Sequence, residues 1–177
     1  PKRSKIIDLY SNKFNIQKMG KFKGHLWEQI DLPIFLGKNN NPLLISLTNS
    51  NPVFYKRSVS TIHDLSIYKN KKWFKLSYRL FYKLLIPLLV KNSIYILTVS
   101  KFCKNELISK FAVQSNKISV IYNAVSFKSI DNISKKNKDY ILFVGSLSER
   151  KNLNNLIEAF LLINKNNLKL KIVGAKY

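Results

Sequence analysis

Apolar positions in this chain fall into short runs and spaced faces that alternate along most of its length. Leu43-Leu-Ile-Ser-Leu-Thr48 reads as a strand followed by the turn cluster Asn49-Ser-Asn-Pro52, and Ser58-Val-Ser-Thr-Ile62 as a second strand ending at His63-Asp64. From Trp73 to about Lys91 the period changes. Phe74, Leu76, Leu80, Phe81, Leu84 and Leu85 recur at helical spacing, while Lys75, Arg79 and Lys83 repeat at four-residue intervals on another face. Ser93-Ile-Tyr-Ile-Leu-Thr-Val99 is a third strand. Ser100 then stands where its hydroxyl can accept an orphan N–H of a helix over Lys101 to Phe111. Lys117-Ile-Ser-Val-Ile-Tyr122 is a fourth strand, running into Asn123-Ala-Val125.

Residues 126–138 are rich in Lys, Asn and Ser and have linker composition. The pattern then restarts as a buried strand from Tyr140, a glycine turn, an amphipathic helix beginning near Asn152, and a final strand Leu168-Lys-Leu-Lys-Ile-Val-Gly174. Repeated strand–helix alternation predicts an α/β fold with Rossmann-like parallel sheets. Two blocks predict two domains, 1–125 and 139–177, joined by that linker. The second block has too few elements to bury both faces of a sheet, and it reads as the opening of a larger domain. Upstream, Pro1 to Gly24 is basic and weakly patterned, and Leu26 to Leu36 reads as a short helix broken near Pro33.

Composition adds limits. Hydrophobic residues make up 46% of the 177, enough for a packed core and against global disorder. The net charge is +22, from 31 Lys and Arg against 9 Asp and Glu, which points to an anionic partner: nucleic acid, an acidic membrane surface or a phosphorylated ligand. Lys and Asn also crowd loops such as Lys38-Asn39-Asn40-Asn41, so composition without selection for binding explains the charge equally well. The single cysteine, Cys103, excludes an internal disulfide and fits a reducing compartment. The start at Pro1 reads as processed, cut or incomplete. Trp73 to Ser100 is no membrane span, because Lys75, Arg79, Lys83, Lys91 and Pro87 interrupt it; its uncharged piece Leu84 to Val90 is far below the ~20 residues required.

The candidate chemistry lies at two strand ends. Gly145 follows the buried strand Tyr140-Ile-Leu-Phe-Val144 and lets backbone approach a ligand. The helix after it favours an anion at its start, and Arg150 and Lys151 add a bidentate and a mobile cation. The alternative is an ordinary strand–helix turn with a solvated Arg-Lys pair. No Gly-x-Gly-x-x-Gly and no Gly-Lys-Ser/Thr is present, so nicotinamide, flavin and P-loop nucleotide binding lack support. His63-Asp64 follows a strand where open sheets bind ligands, and the histidine could donate a hydrogen bond there; the alternative is a capping or core-satisfied pair. His25 reads as structural. Cys103, without a partner histidine at any recognisable spacing, reads as a core or boundary residue. Two histidines and one cysteine without ligand spacing argue against a metal site. The basic helix Trp73 to Lys91 either packs on its own sheet or lies on an anionic bilayer.

Five segments carry a resemblance. They are Leu26-Trp-Glu-Gln-Ile-Asp-Leu-Pro33, Val59-Ser-Thr-Ile-His-Asp-Leu65, Ile96-Leu-Thr-Val-Ser-Lys-Phe102, Lys117-Ile-Ser-Val-Ile-Tyr-Asn-Ala-Val125 and the stretch from Tyr140 to Phe160 with its Ser148-Glu-Arg-Lys-Asn152 turn. In this order, over roughly Leu26 to Gly174, they resemble the retaining, nucleotide-sugar-dependent glycosyltransferases of family 4 (group 1). That family has the B-type fold of two Rossmann domains, and the likeness is to its mannosyltransferase-type members. The resemblance implies that His63 faces the cleft and contacts the transferred sugar, with Asp64 beside it on the acceptor side. It implies that Lys151 binds the donor pyrophosphate and that Gly145 ends the first donor-domain strand. Many members carry arginine directly after that glycine; Ser146 stands here instead, with Arg150 as the cation that would compensate.

The same resemblance implies a nucleotide-sugar donor, a glycan or lipid-linked acceptor in cell-surface polysaccharide synthesis, and neither cofactor nor metal. It implies a cytoplasmic location and leaves open peripheral contact with the anionic inner face of the membrane. The family's glycine-rich loop would precede Pro1 and its donor-site glutamate pair would follow Tyr177, so the chain alone is expected to be inactive. The competing reading, from charge alone, is a basic module for nucleic acid or membrane. No nucleic-acid fold signature supports it, and no nucleic-acid partner is expected.

Overall fold

The computed structural model describes residues 13–125, 139–163 and 167–175. The basic start and the linker expected over 126–138 fall wholly or partly outside them. The chain forms two compact units, Pro1–Asn123 and Ala124–Tyr177.

The first unit is an α/β layer around four strands, β1 (Leu44–Ser46), β2 (Ser58–Thr61), β3 (Tyr95–Thr98) and β4 (Ile118–Val120). They pair in parallel in sequence order, with Ser60 opposite Ile96 and Ile96 opposite Ile118. Alternate residues of each short strand share one face. On that face Ile62, Ile96 and Ile118 meet Ile86 and Val90 of α3 (Leu76–Asn92) and Cys103 and Leu107 of α4 (Lys101–Phe111). Every residue of this cluster is buried, so each contributes about 1.5–3 kcal/mol of apolar burial. Strands in sequence order with right-handed crossovers place both helices on this side of the sheet. The opposite face is half-buried at Val59, Tyr95 and Leu97 and open at its edges, at Ile45 and Ile121.

Ser100 caps α4 as the sequence predicts, accepting the Cys103 N–H at 3.1 Å, and the helix has the predicted bounds. Pro33 does not break the upstream helix. Helical backbone runs from α1 (Gly24–Leu26) through a π turn (Trp27–Asp31) into α2 (Leu32–Lys38), with Pro33 in the first turn of α2. The π turn just ahead, in which the Leu32 N–H reaches the Trp27 carbonyl, carries the helix past Pro33, which the reading of Pro33 as a breaker overlooks. His25 packs its ring against Phe81 at 4.4 Å and Tyr82 at 6.0 Å. Burial, with Tyr78 alongside, pushes the Tyr82 phenol up to about 12.

The second unit pairs β5 (Tyr140–Val144) in parallel with β6 (Lys169–Val173), connected through α5 (Leu153–Leu162). None of its described residues is buried. Two strands and one helix cannot enclose a core.

The core of the first unit yields a stability prediction. Ile96 is fully buried at the sheet centre. Ile96→Ala should cost about 2–5 kcal/mol, read as a lower urea midpoint of the circular-dichroism transition. A shift well under 1 kcal/mol, about the size of a surface change, would contradict this core.

Candidate functional site

His63 and Asp64 follow the carboxyl end of β2, where open parallel sheets hold ligands. β2 is paired on both sides, so the residues after it project from the sheet interior. Ile62 continues the ladder by donating to the Leu97 carbonyl at 2.8 Å. Its own carbonyl accepts from the Thr98 hydroxyl at 2.7 Å and from the Cys103 thiol at 3.6 Å. His63 comes next. Its backbone N–H donates to Asn49 Oδ1 at 2.7 Å, and its ring Nε2 lies 3.0 Å from the Leu47 carbonyl. A carbonyl oxygen only accepts, so Nε2 carries the proton in neutral His63 and Nδ1 is the acceptor. In that neutral tautomer the ring nitrogen that remains for a ligand is the acceptor.

Asp64 lies beside His63 but turns elsewhere. Its Oδ1 accepts from the Ser66 N–H at 2.8 Å and from the Ser66 hydroxyl, forming the turn that starts the 3₁₀ segment Ser66–Tyr68. Asp64 is thus engaged in a local turn with Ser66.

Asn49 reads in the sequence only as part of a turn, yet it fixes His63. The connection that carries it is tied to the upstream helix. Ser50 donates to Glu28 Oε2 at 2.6 Å, Gln29 Nε2 donates to the Asn51 carbonyl at 2.9 Å, and the Val53 N–H donates to Gln29 Oε1 at 2.9 Å. Glu28 and Gln29 belong to the first of the five segments. Their type and place in that segment are the available signal, and only the fold shows what they hold.

Cys103 is buried against β3, and burial pushes its thiol up, with the Thr98 hydrogen bond pulling the other way. A raised, buried thiol is a poor nucleophile, in keeping with the core reading. Among the described residues no group of His, Cys, Asp and Glu comes together to hold a metal ion.

In the second unit, Gly145, Ser146, Arg150 and Lys151 all lie on the connection from β5 to α5. The Gly145 N–H donates to the Val173 carbonyl at 3.0 Å, extending the β5–β6 ladder. Ser146 and Ser148 hydroxyls lie 3.1 Å apart. Glu149–Lys151 form a 3₁₀ turn, Asn152 takes left-handed backbone at φ 53°, and α5 begins one residue later than expected. No side chain caps its N-terminus. A hollow of about 390 Å³ beside that terminus is lined by Ser148, Glu149, Asn152, Asn154 and neighbouring leucines. Arg150 and Lys151 are exposed on the turn and do not line it.

Gly145 itself is not sterically required, since an added Cβ would meet only the Phe143 ring at ordinary contact distance. Gly174 is. A Cβ there would overlap the Gly145 carbonyl, so it is Gly174 that lets β6 approach the turn.

Residues 40–128 match the model of Glycosyltransferase Family 4, and residues 126–177 match that of Glycosyl transferases group 1. The chain belongs to glycosyltransferase family 4. Among its relatives is the O-antigen chain mannosyltransferase RfbU of Salmonella typhimurium, 33% identical over 122 residues, covering 68% of this chain and 33% of that protein. An uncharacterized glycosyltransferase, MJ1069, of Methanocaldococcus jannaschii is 30% identical over 127 residues, covering 67% of this chain and 32% of its own. The N-acetylgalactosamine-N,N'-diacetylbacillosaminyl-diphospho-undecaprenol 4-alpha-N-acetylgalactosaminyltransferase of Campylobacter jejuni is 36% identical over 97 residues, covering 52% and 26%. This family-4 chain spans about a third or less of the length of these relatives.

Two outcomes check the geometry. Cys103 should resist a thiol-alkylating reagent in the native chain and label fully in denaturant, as followed by mass spectrometry; rapid native labelling would refute its burial. Gly174→Ala should destabilise the β5–β6 pairing by about 1–3 kcal/mol, through overpacking of backbone against backbone. Faster amide exchange at Gly145 and Leu147, whose N–H groups donate to Val173 and Ala175, would register it.

Proposed function

We propose that this family-4 chain serves transfer of a hexosyl group, mannose being the favoured candidate, from a nucleotide-sugar to a glycan or lipid-linked acceptor in cell-surface polysaccharide synthesis. The match of residues 40–128 to the family carries this reading, because it spans the β2 end where His63 is held at the carboxyl edge of the sheet. The activities in the names of the Salmonella and Campylobacter relatives support the class of acceptor.

In this reading His63 positions the sugar. Its Nδ1 accepts from a sugar hydroxyl while the Leu47 carbonyl holds the ring in orientation. As in other retaining enzymes of this fold class, no protein nucleophile is assigned, and Asp64 supports the acceptor side by building the loop after His63. Lys151, with Arg150, takes the pyrophosphate as charge develops on the leaving group, beside the start of the following helix. Cations and backbone dipoles at such a site stabilise that charge without a metal, and none is invoked. The protein works in the cytoplasm, reaching a lipid-linked acceptor at the membrane's inner face.

Sugar transfer should be measured with a panel of nucleotide-sugars and undecaprenyl-linked acceptors, using the protein that carries this chain. His63→Ala and Lys151→Ala should each lower turnover by about a hundredfold or more. Lys151→Ala should also weaken binding of the free nucleoside diphosphate. Unchanged turnover in both variants would remove these assignments.

A further inference from the structure

Connections between strands ordinarily run over the surface, because their backbone polar groups need water. The middle of the one from β1 to β2 does not. Ser50 to Val53 are all buried, Asn51 at 1% exposure, although Asn49-Ser-Asn-Pro52 reads in the sequence as a turn cluster. Its carbonyls find partners within the unit. That of Ser50 accepts from the Ser46 hydroxyl at 2.6 Å, and that of Val53 accepts from Asn92 Nδ2, at the end of α3, at 2.9 Å.

A buried polar chain fastens this connection to the sheet. Asn51 Nδ2 donates to Ser60 Oγ at 2.8 Å, and Ser60 Oγ lies 2.7 Å from Ser93 Oγ. Ser60 is fully buried on β2, and Ser93, which follows α3, is buried as well. The chain does not close, since Asn51 Oδ1 is buried with no hydrogen-bond partner among the described residues. Such an atom lowers stability, and an apolar side chain of similar size would not carry it. What the amide supplies is direction. Apolar contact is non-directional, whereas the Asn51 amide donates to one hydroxyl, two residues ahead of Ile62 on the strand that leads to His63.

Two groups on the same connection then meet His63. Asn49 Oδ1 accepts its backbone N–H, and the Leu47 carbonyl holds its ring at Nε2. Backbone and ring of one residue are thus held from one short stretch of chain, and a shift of that stretch moves both contacts together.

We propose that Asn49 and Asn51 are positioning residues for His63. Asn51 sets the register of the connection on β2, and Asn49, with the Leu47 carbonyl, passes that register to the imidazole. Neither asparagine touches substrate. The proposal deepens, and rests on, the reading of His63 as the residue that orients the sugar, but the state of the ring can be read with no donor and no acceptor present.

The chain has two histidines, so nuclear magnetic resonance of the ring nitrogens gives two sets of signals, and His63→Ala identifies the set of His63. At a pH where both rings are neutral, the parent should carry the His63 proton on Nε2. Asn49→Ala and Asn51→Leu should each move the His63 signals toward a mixture of tautomers and leave those of His25 as in the parent. Asn49→Asp, which keeps an acceptor oxygen, should restore the parent pattern. Asn49 is half-buried, so its alanine variant should keep the native circular-dichroism spectrum and carries the test should Asn51→Leu fail to fold. In the protein that carries this chain, Asn49→Ala should lower kcat about tenfold or more. Binding of the free nucleoside diphosphate, which has no sugar for His63 to place, should not change. Parent-like His63 signals in Asn49→Ala, or turnover equal to that of an active parent, would overturn the proposal. So would a parent ring protonated on Nδ1. Displaced His63 signals, beside a complete failure of sugar transfer by the parent itself, would sustain the positioning role and remove only the proposed enzyme.

Discussion

The carbonyl of Ile62 is the point on which the first unit's site depends. It lies at the buried end of an interior strand, where an unpaired backbone group would cost about as much as a lost hydrogen bond. Two side chains from the next strand and helix satisfy it, the Thr98 hydroxyl and the Cys103 thiol. Ile62 also donates into β3, so its peptide is held from both sides. The chain can leave the sheet only after this residue, and His63 is therefore the first side chain free of the ladder. Asn49 then fixes the His63 N–H, and Asn49 rides on a connection tied to Glu28 and Gln29. Polar satisfaction thus links an N-terminal helix, two strands and a crossover helix to one imidazole.

Much of this fold is legible in the sequence because its strands are short apolar runs bounded by turn residues and its longer helices carry helical spacing. Helix α4 has its predicted bounds, since Ser100 gives a local signal that needs no tertiary context. Pro33 misleads because the π turn ahead of it, a wider local winding that no residue announces, lets the helix continue past it. At the site, His63 is visible as a residue type at a strand end. Asn49, Glu28 and Gln29 are not, because their work is non-local and their sequence looks like any polar turn or helix face. Gly145 and Gly174 show the same limit. Each follows a strand, and only the packing of β6 against the Gly145 carbonyl reveals which one has no room for a side chain.

The cationic excess divides by physical role. Lys104 donates to the carbonyls of Ser115 and Ile118, and Lys117 donates to that of Val90 near the end of α3. A lysine at a helix C-terminus satisfies orphan carbonyls and complements the helix dipole. Lys69 pairs with Glu106 at 3.0 Å and covers the Phe102 ring. These cations serve the fold and need no external anion. The exposed lysines ahead of α3, Lys71, Lys72 and Lys75, have no acidic residue near them in sequence. Total charge therefore says little about partners, whereas the company each lysine keeps says much more.

Local company also decides the chemistry open to His63. A histidine that works as a base must accumulate positive charge, and enzymes that use one commonly hold a carboxylate on the far nitrogen. Here the far nitrogen faces the neutral Leu47 carbonyl, and the adjacent Asp64 accepts from Ser66 instead. A carbonyl orients the ring and fixes its tautomer without supplying a counter-charge for the imidazolium. The ring is therefore oriented through a neutral backbone partner, while Asp64 is committed to the turn that follows.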